Sequence, residues 1–294
     1  VGERVLITGA TGFVGSHLAR YAAATGAEVH CVVRRPIDDP AVVALMGYGA
    51  VHHHDGTTER LIKLFLDARP NVVVHCAARF VADHRPNDVA PLIDDNLRFS
   101  AQLLEAMRQA RVARLVFAST AWTHLDDAAY SPVNLYAATK EAFHALAQYY
   151  AEADGLSVAS LEITDPYGPG DTRAKLMPAL LAAEKSGAPI SMVPRTHPID
   201  LVHVDDVVKA MCHAATLLIA EKPGTMTRWA VRSGEPVTME ELLAIWATAR
   251  GTALVAEWGA RALRPRDMRT PWTSGTDLPG WTPAIALADG LKTL

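Results

Sequence analysis

Val5-Leu6-Ile7-Thr8-Gly9-Ala10-Thr11-Gly12-Phe13-Val14-Gly15-Ser16-His17-Leu18 is the stretch whose reading decides the fold. Three apolar residues read as the end of a buried strand. Glycines follow at 9, 12 and 15, and Leu18-Ala19 with Tyr21-Ala22-Ala23 continues as a helix face. One glycine permits a tight turn, one lets backbone approach a pyrophosphate, and one lets the helix pack on the strand. Backbone N–H groups and the positive end of the helix dipole then meet the phosphates. A glycine pattern alone is weak evidence, but here strand and helix supply the context it requires. Gly9, Thr11, Gly12, Phe13, Val14 and Gly15 are therefore the expected cofactor loop.

Working outward, strands and helices alternate, which argues for a parallel sheet covered on both faces. Glu28 to Val33 reads as the second strand. A dinucleotide fold usually carries an acid just beyond it to hold the adenosine ribose. This chain has Arg34-Arg35 instead. Two guanidinium groups attract a 2′-phosphate that an acid repels, so NADP(H) is expected over NAD(H). The plainer alternative is a solvated pair at a strand end. The third strand, Ala50 to His54, ends in Asp55-Gly56, where a carboxylate can accept from the adenine amino group or simply form a turn. Asn71 to His75 reads as a central fourth strand, and the small residues Ala77 and Ala78 after it suit a cofactor running over the strand ends.

Asp95-Asn96 begins or lies within a helix running to Arg111, and Arg114 to Ala118 is the fifth strand, closed by Ser119-Thr120. The next helix carries Tyr136-Ala137-Ala138-Thr139-Lys140. Residues four apart share a helix face, so Tyr136 and Lys140 point the same way. A phenol of pKa ~10 is a poor proton relay at neutral pH. A nearby ammonium lowers that value by favouring the phenolate.

Composition narrows the class. The chain has 294 residues, 50% of them hydrophobic, enough for one large domain or two intimate ones. No apolar run approaches the roughly 20 residues of a membrane span. Met211 to Ala220 comes nearest, and His213 and Thr216 interrupt it, so a helix against the core is expected. With 28 basic and 32 acidic residues and no basic block, nucleic acid is not an expected partner. Cys31, Cys76 and Cys212 are few and far apart, fitting buried free thiols in a reducing cytoplasm, with no metal spacing. In His52-His53-His54 only His52 and His54 share a strand face, and a structural role is expected for the run. No secretory leader is legible at Val1-Gly2-Glu3-Arg4.

With these pieces in place, the chain resembles the extended short-chain dehydrogenase/reductase family of sugar-nucleotide epimerases, dehydratases and reductases. The resemblance runs through the glycine motif, Val74-His75-Cys76-Ala77-Ala78, Asn96, Ser119-Thr120, Tyr136 with Lys140, and Pro166-Tyr167-Gly168-Pro169-Gly170. It continues through His203-Val204-Asp205-Asp206-Val207 and Gly280-Trp281-Thr282-Pro283. It implies a Rossmann-type, doubly wound parallel α/β sheet with a smaller C-terminal substrate-binding domain. The NADP-binding part would be 1–164, with the chain returning at about 198–221. The nucleotide-sugar part would be 165–197 and 222–294. Carried over, the resemblance makes Tyr136 the acid/base, Lys140 its tuner and ribose ligand, Thr120 a donor to the carbonyl oxygen, and Pro166 a cofactor neighbour. It also implies a homodimer, for which Ala-rich helices around 99–110 and 141–151 are suited.

Departures from the family pattern narrow the chemistry. Dehydratases of the family place Asp-Glu directly after the catalytic Thr; here Ala121-Trp122 stand there, and epimerases' Tyr-Gly is replaced by His124-Leu125. Asp165 replaces the usual Asn, and Ile199 the usual Arg, so substrate phosphate falls to Arg173, Lys175, Arg195 and Arg264, or these are surface charges. The segments Tyr130–Tyr136 and Asp165–Leu176 resemble those of CDP-abequose synthase-like 4-keto-6-deoxyhexose reductases. The expected activity is NADPH-dependent reduction of a nucleotide-linked 4-keto-6-deoxyhexose in deoxysugar biosynthesis. The alternatives are a redox-neutral epimerase or dehydratase holding NAD, or a non-catalytic NADP-binding regulator or scaffold.

Overall fold

The structure, a computed structural model, describes residues 4–294; Val1–Glu3, where no leader was legible, lie outside the described residues. Strand β1 (Arg4–Thr8) leads through the glycine loop into helix α1 (Phe13–Ala24), then β2 (Glu28–Val33), α2 (Pro40–Leu45), β3 (Ala50–His53) and α3 (Thr58–Ala68). After β4 (Val72–His75) come α4 (Val89–Ile93), a π-helical turn over Asp94–Arg98, and α5 (Phe99–Ala110). β5 (Arg114–Thr120), α6 (Leu135–Asp154) and β6 (Ser157–Ile163) follow. With the strand Met226–Val231 they make a seven-stranded sheet, ordered Met226–Val231, β6, β5, β4, β1, β2, β3. β1 pairs in parallel with both β2 and β4, as do β2 with β3 and β4 with β5. This is the doubly wound Rossmann arrangement, and the strand order reverses beside β1, where such folds bind ligands.

The elements follow from their residues. β4 is apolar but for its last residue and buried throughout, as a central parallel strand must be. Thr57 caps α3 by accepting from Arg60 N, and Asn134 caps α6 by accepting from Ala137 N. α6 ends at Gly155, whose φ of +72° is the left-handed stop glycine adopts without strain. Leu6, Val73, Leu103, Phe117 and Phe143 join one core between sheet and helices. β5 runs two residues past the expected Ala118, through buried Ser119 and Thr120. β3 stops at His53 rather than His54, because strand ends are set by pairing with the neighbour and not by composition.

The chain divides into two compact units. The first contains the chain up to Thr120, with Asn134–Glu162 and Val208–Trp229; the second contains Ala121–Val133, Ile163–Val207 and Ala230–Leu294. In the second, β7 (Asp165–Tyr167) pairs in parallel with the strand Leu201–His203. Its core gathers Tyr167, Leu180, Leu242 and Trp246, with α7 (Leu176–Ser186) and the helix Met239–Arg250 contributing. The expected helix at Met211 to Ala220 is the end of a longer helix, Val204–Ala220, whose Val207, Val208, Met211 and Ala214 are buried. Among the described residues, no helix is long and apolar enough to cross a membrane.

Candidate functional site

The glycine loop is built as its spacing requires. Gly9 holds φ at +72°, and a Cβ on it would lie 2.5 Å from Ala77 N. A Cβ on Gly15 would lie 2.2 Å from the Gly9 carbonyl oxygen, so the helix packs on the turn only with glycine there. Gly12 is the N-cap of α1, no side chain caps that end, and no acid stands in its first turn. A helix start left without side-chain cap or acid fits the pyrophosphate of a dinucleotide. Thr11, Phe13 and Val14 complete this loop and first turn.

At the end of β2 the expected arginine pair is split. Arg34 Nη1 donates to Asp95 Oδ1 at 2.5 Å, whereas Arg35 Nη1 donates to Asp39 Oδ2 at 3.1 Å. Consecutive side chains leaving a strand point to opposite sides, so adjacency in sequence did not make them neighbours. Asp95 also accepts from Arg79 Nε at 2.8 Å. Burial pulls the Asp95 pKa up, but the hydrogen bonds and charges of Arg34 and Arg79 outweigh it and hold the carboxyl below its ordinary value. Asp55 folds back to accept from Thr57 N (2.9 Å) and Oγ1 (2.7 Å), an Asx turn completed by Gly56 at φ +95°.

The Tyr136 and Lys140 pair sits in the first turns of α6, started by the Asn134 cap. Lys140 is buried, and its Nζ donates to the Ala118 carbonyl oxygen at 2.8 Å. The ammonium lies 4.8 Å from the centroid of the Phe117 ring and 5.8 Å from that of Tyr136. Desolvation pulls its pKa down from 10.5 to about 8. The Tyr136 ring meets Phe80 edge-on, centroids 5.1 Å apart. Thr120, at the end of β5, is buried.

A polar chain fixes this region from beneath. Tyr136 O accepts from Thr139 Oγ1 (2.7 Å), which accepts from Asn96 Nδ2 (2.9 Å). Asn96 clasps the Arg79 backbone, accepting from its N–H and donating to its carbonyl. Ser100 Oγ donates to Asn96 O, so it accepts from His75 Nε2, leaving Nδ1 to accept from Thr8 Oγ1 at 2.6 Å. Thr8 Oγ1 in turn accepts from Ala77 N at 3.4 Å, which sets the Ala77-Ala78 segment at the end of β4. His75 is neutral: burial, then the Lys140 charge, push its pKa down to about 3.

In the second unit, each of the four cations expected at substrate phosphate has a carboxylate partner. Arg173 is held by Asp171 and by the Pro166 carbonyl, Lys175 by Asp165 at 2.9 Å, Arg195 by Glu240 and Arg264 by Asp267. Arg195 stacks on Trp258. Lys175 and Arg264 instead converge on Trp122, at 5.3 and 4.8 Å from its ring. Thus Trp122, read from sequence only as the loss of an acid, is the aromatic centre of a two-cation, two-carboxylate group.

Residues 5–226 match the NAD dependent epimerase/dehydratase family. The chain belongs to this family. A dTDP-4-dehydro-6-deoxy-D-allose reductase from Streptomyces bikiniensis is 31% identical over 71% of each chain. CDP-abequose synthase from Salmonella typhimurium is 23% identical over 99% of this chain and 97% of its own. Among solved structures, UDP-glucose 4-epimerase from Thermus thermophilus, complexed with NAD, is similar at 27% identity. Its TM-score is 0.81, with 99% of this chain and 97% of that one covered.

The histidine run makes contacts within its own neighbourhood of the sheet. His52 stacks on His30, with Nε2 and Nδ1 2.9 Å apart, while His54 turns inward against Phe99. Among the described residues, no group of three or more His, Cys, Asp or Glu is placed to hold a metal. The three cysteines are free, Cys31 buried and the others half-buried, and burial raises all three thiol pKa values, Cys31 and Cys76 to about 12 and Cys212 to about 11. Asp95 and Arg79 were missed from sequence. Neither belongs to a motif, and nothing in the periodicity of 89–110 marks the π-turn.

Proposed function

We propose that this chain is an NADPH-dependent reductase of the keto group of a nucleotide-linked 4-keto-6-deoxyhexose. The observation that carries the reading is Lys140: a buried ammonium beside the Tyr136 ring and behind the strand that ends in Thr120. The relatives named CDP-abequose synthase and dTDP-4-dehydro-6-deoxy-D-allose reductase support the substrate class. Ala121-Trp122, in place of paired carboxylates, removes the acid and base that elimination of water needs. A bound reduced nicotinamide supplies the hydride.

The chain's own residues do the rest. Gly9 to Gly15 seat the pyrophosphate, and Ala77 and Ala78 line the end of β4. Tyr136 gives its hydroxyl proton to the carbonyl oxygen as charge develops there, and the Lys140 charge favours the phenolate left behind. Thr120 donates a second hydrogen bond to that oxygen. Lys175, Arg264 and Trp122, with Asp165, Arg173 and Arg195 as further candidates, meet the nucleotide sugar. The deciding experiment supplies CDP- and dTDP-4-keto-6-deoxyhexoses with NADPH and follows absorbance loss at the cofactor's near-ultraviolet band. Consumption by the wild type and none by Tyr136→Phe is expected.

A second reading is favoured by the similar NAD-bound epimerase. In it the chain keeps NAD and inverts a sugar centre with no net redox change. Conversion of a nucleotide sugar without NADPH consumption would establish that reading instead.

A further inference from the structure

We propose that Arg79 is a further cofactor-binding residue, joined to Arg34 through Asp95 in a two-arginine site for the adenosine 2′-phosphate. The inference rests on the NADP(H) reading above and changes which residues serve it. β2 and β4 flank β1 in the sheet, so Arg34 and Arg79 follow the strands on either side of the glycine loop. One carboxylate draws them together. Asp95 gives one oxygen to Arg34 Nη1 (2.5 Å) and the other to Arg79 Nε (2.8 Å).

The three groups differ in exposure in the way an anion site requires. The Asp95 side chain is 9% exposed, while those of Arg34 and Arg79 are 56% and 46% exposed. The carboxylate is thus a buried hinge, and the guanidinium groups face solvent. A guanidinium has five N–H donors in a planar fork. Each of these two gives one nitrogen to Asp95, leaving the others for a phosphate. Two cations and one anion leave one net positive charge. Arg35 and Asp39 form a neutral pair, and Asp39 also accepts from Ala41 N as the cap of α2.

The support behind Arg79 is as firm as that behind Arg34. Asp95 and Asn96 are the two buried residues of the π-turn, a rare geometry that concentrates at functional sites. Asp95 holds the Arg79 side chain, and Asn96 holds its backbone N–H and carbonyl at 2.7 and 3.1 Å. A guanidinium fixed at both ends loses little further freedom on binding.

The test is calorimetric titration of the full chain with NADPH, NADH, adenosine 2′,5′-bisphosphate and AMP, alongside thermal melting. Arg79→Gln is expected to weaken NADPH and the bisphosphate by about tenfold or more while NADH shifts by less than about threefold. Arg79→Lys, which keeps the charge but not the fork, falls between. Arg35→Gln leaves NADPH within about threefold, as an exposed, already neutralised pair should. A wild type preferring NADPH, with Arg79→Gln retaining the full preference, overturns the proposal alone. Equal losses of NADPH and NADH overturn it too, in favour of a pyrophosphate contact. A wild type that binds bisphosphate no better than AMP defeats the NADP(H) reading, and this site with it.

Discussion

Lys140 donates from Nζ to the carbonyl oxygen of Ala118 at 2.8 Å, tying the first turns of α6 to the strand 22 residues upstream. The ammonium is therefore held by a backbone carbonyl as well as by burial. A buried cation fixed in this way is a stored electrostatic cost, and its removal is measurable.

That cost gives a pH signature. With a folded pKa of about 8 against 10.5 for the free side chain, the folded state binds fewer protons between those values. Stability then rises with pH in that window, by up to about 1.4 kcal/mol per unit. Denaturation of ligand-free wild type and Lys140→Met across pH 7.5 to 10.5 should show the wild type gaining relative to the variant. The raised thiol pKa values of Cys31 and Cys212 act in the opposite direction in both proteins, while Cys76, which the Lys140 charge lowers, is raised further in the variant. Parallel profiles would refute the assignment of the buried charge.

On the acid side His75 sets the expectation. Its folded pKa is depressed to about 3 from 6.5, so its contribution is intact above 6.5 and is lost as pH falls toward 3. His75→Asn should flatten the urea-midpoint profile through that window. It should also cost about 1–3 kcal/mol for the Thr8 hydroxyl proton left without its acceptor, while Ser100 keeps its bond to Asn96 O. An unaltered acid limb would mean another histidine governs it.

Tyr136→Phe and Thr120→Val separate chemistry from binding. Loss of the phenol should lower kcat by about 10²–10⁴-fold. Loss of the Thr120 hydroxyl should lower it by about 10²–10³-fold. Cofactor affinity by fluorescence titration should change little in both. A Tyr136→Phe protein with ordinary turnover would remove the phenol from the reaction.

Under the proposed function, Trp122 and its two cations bear on substrate affinity. Trp122→Ala removes both cation–π contacts, each worth about 0.5–2 kcal/mol. It leaves Lys175 and Arg264 held by Asp165 and Asp267 without the ring, so KM for the nucleotide sugar should rise more than kcat falls. Trp122→Phe should recover part of the loss. A change in kcat alone, at constant KM, would argue that the ring acts on the reacting centre instead.

Much of this molecule was legible in one dimension because its causes are local. Glycine at 9 and 15 answers to sterics within one turn, and Tyr136 and Lys140 are one helical turn apart. The apolar run Val72-Val73-Val74, unbroken by any polar residue, reads as a central strand, and the structure makes it one.

What the chain order did not reveal was which charge meets which. Arg34 and Arg35 are adjacent in sequence yet go to different acids, Asp39 nearby and Asp95 61 residues away. Arg79 joins Arg34 only because β4 and β2 flank β1 and a π-turn aims one carboxylate at both. Likewise Trp122 meets Lys175 and Arg264 across long separations in the chain. Backbone sterics and helical periodicity act over a few residues and can be read along the sequence. Ion pairs act through space, and their partners exist only once the sheet order has brought distant strand ends together.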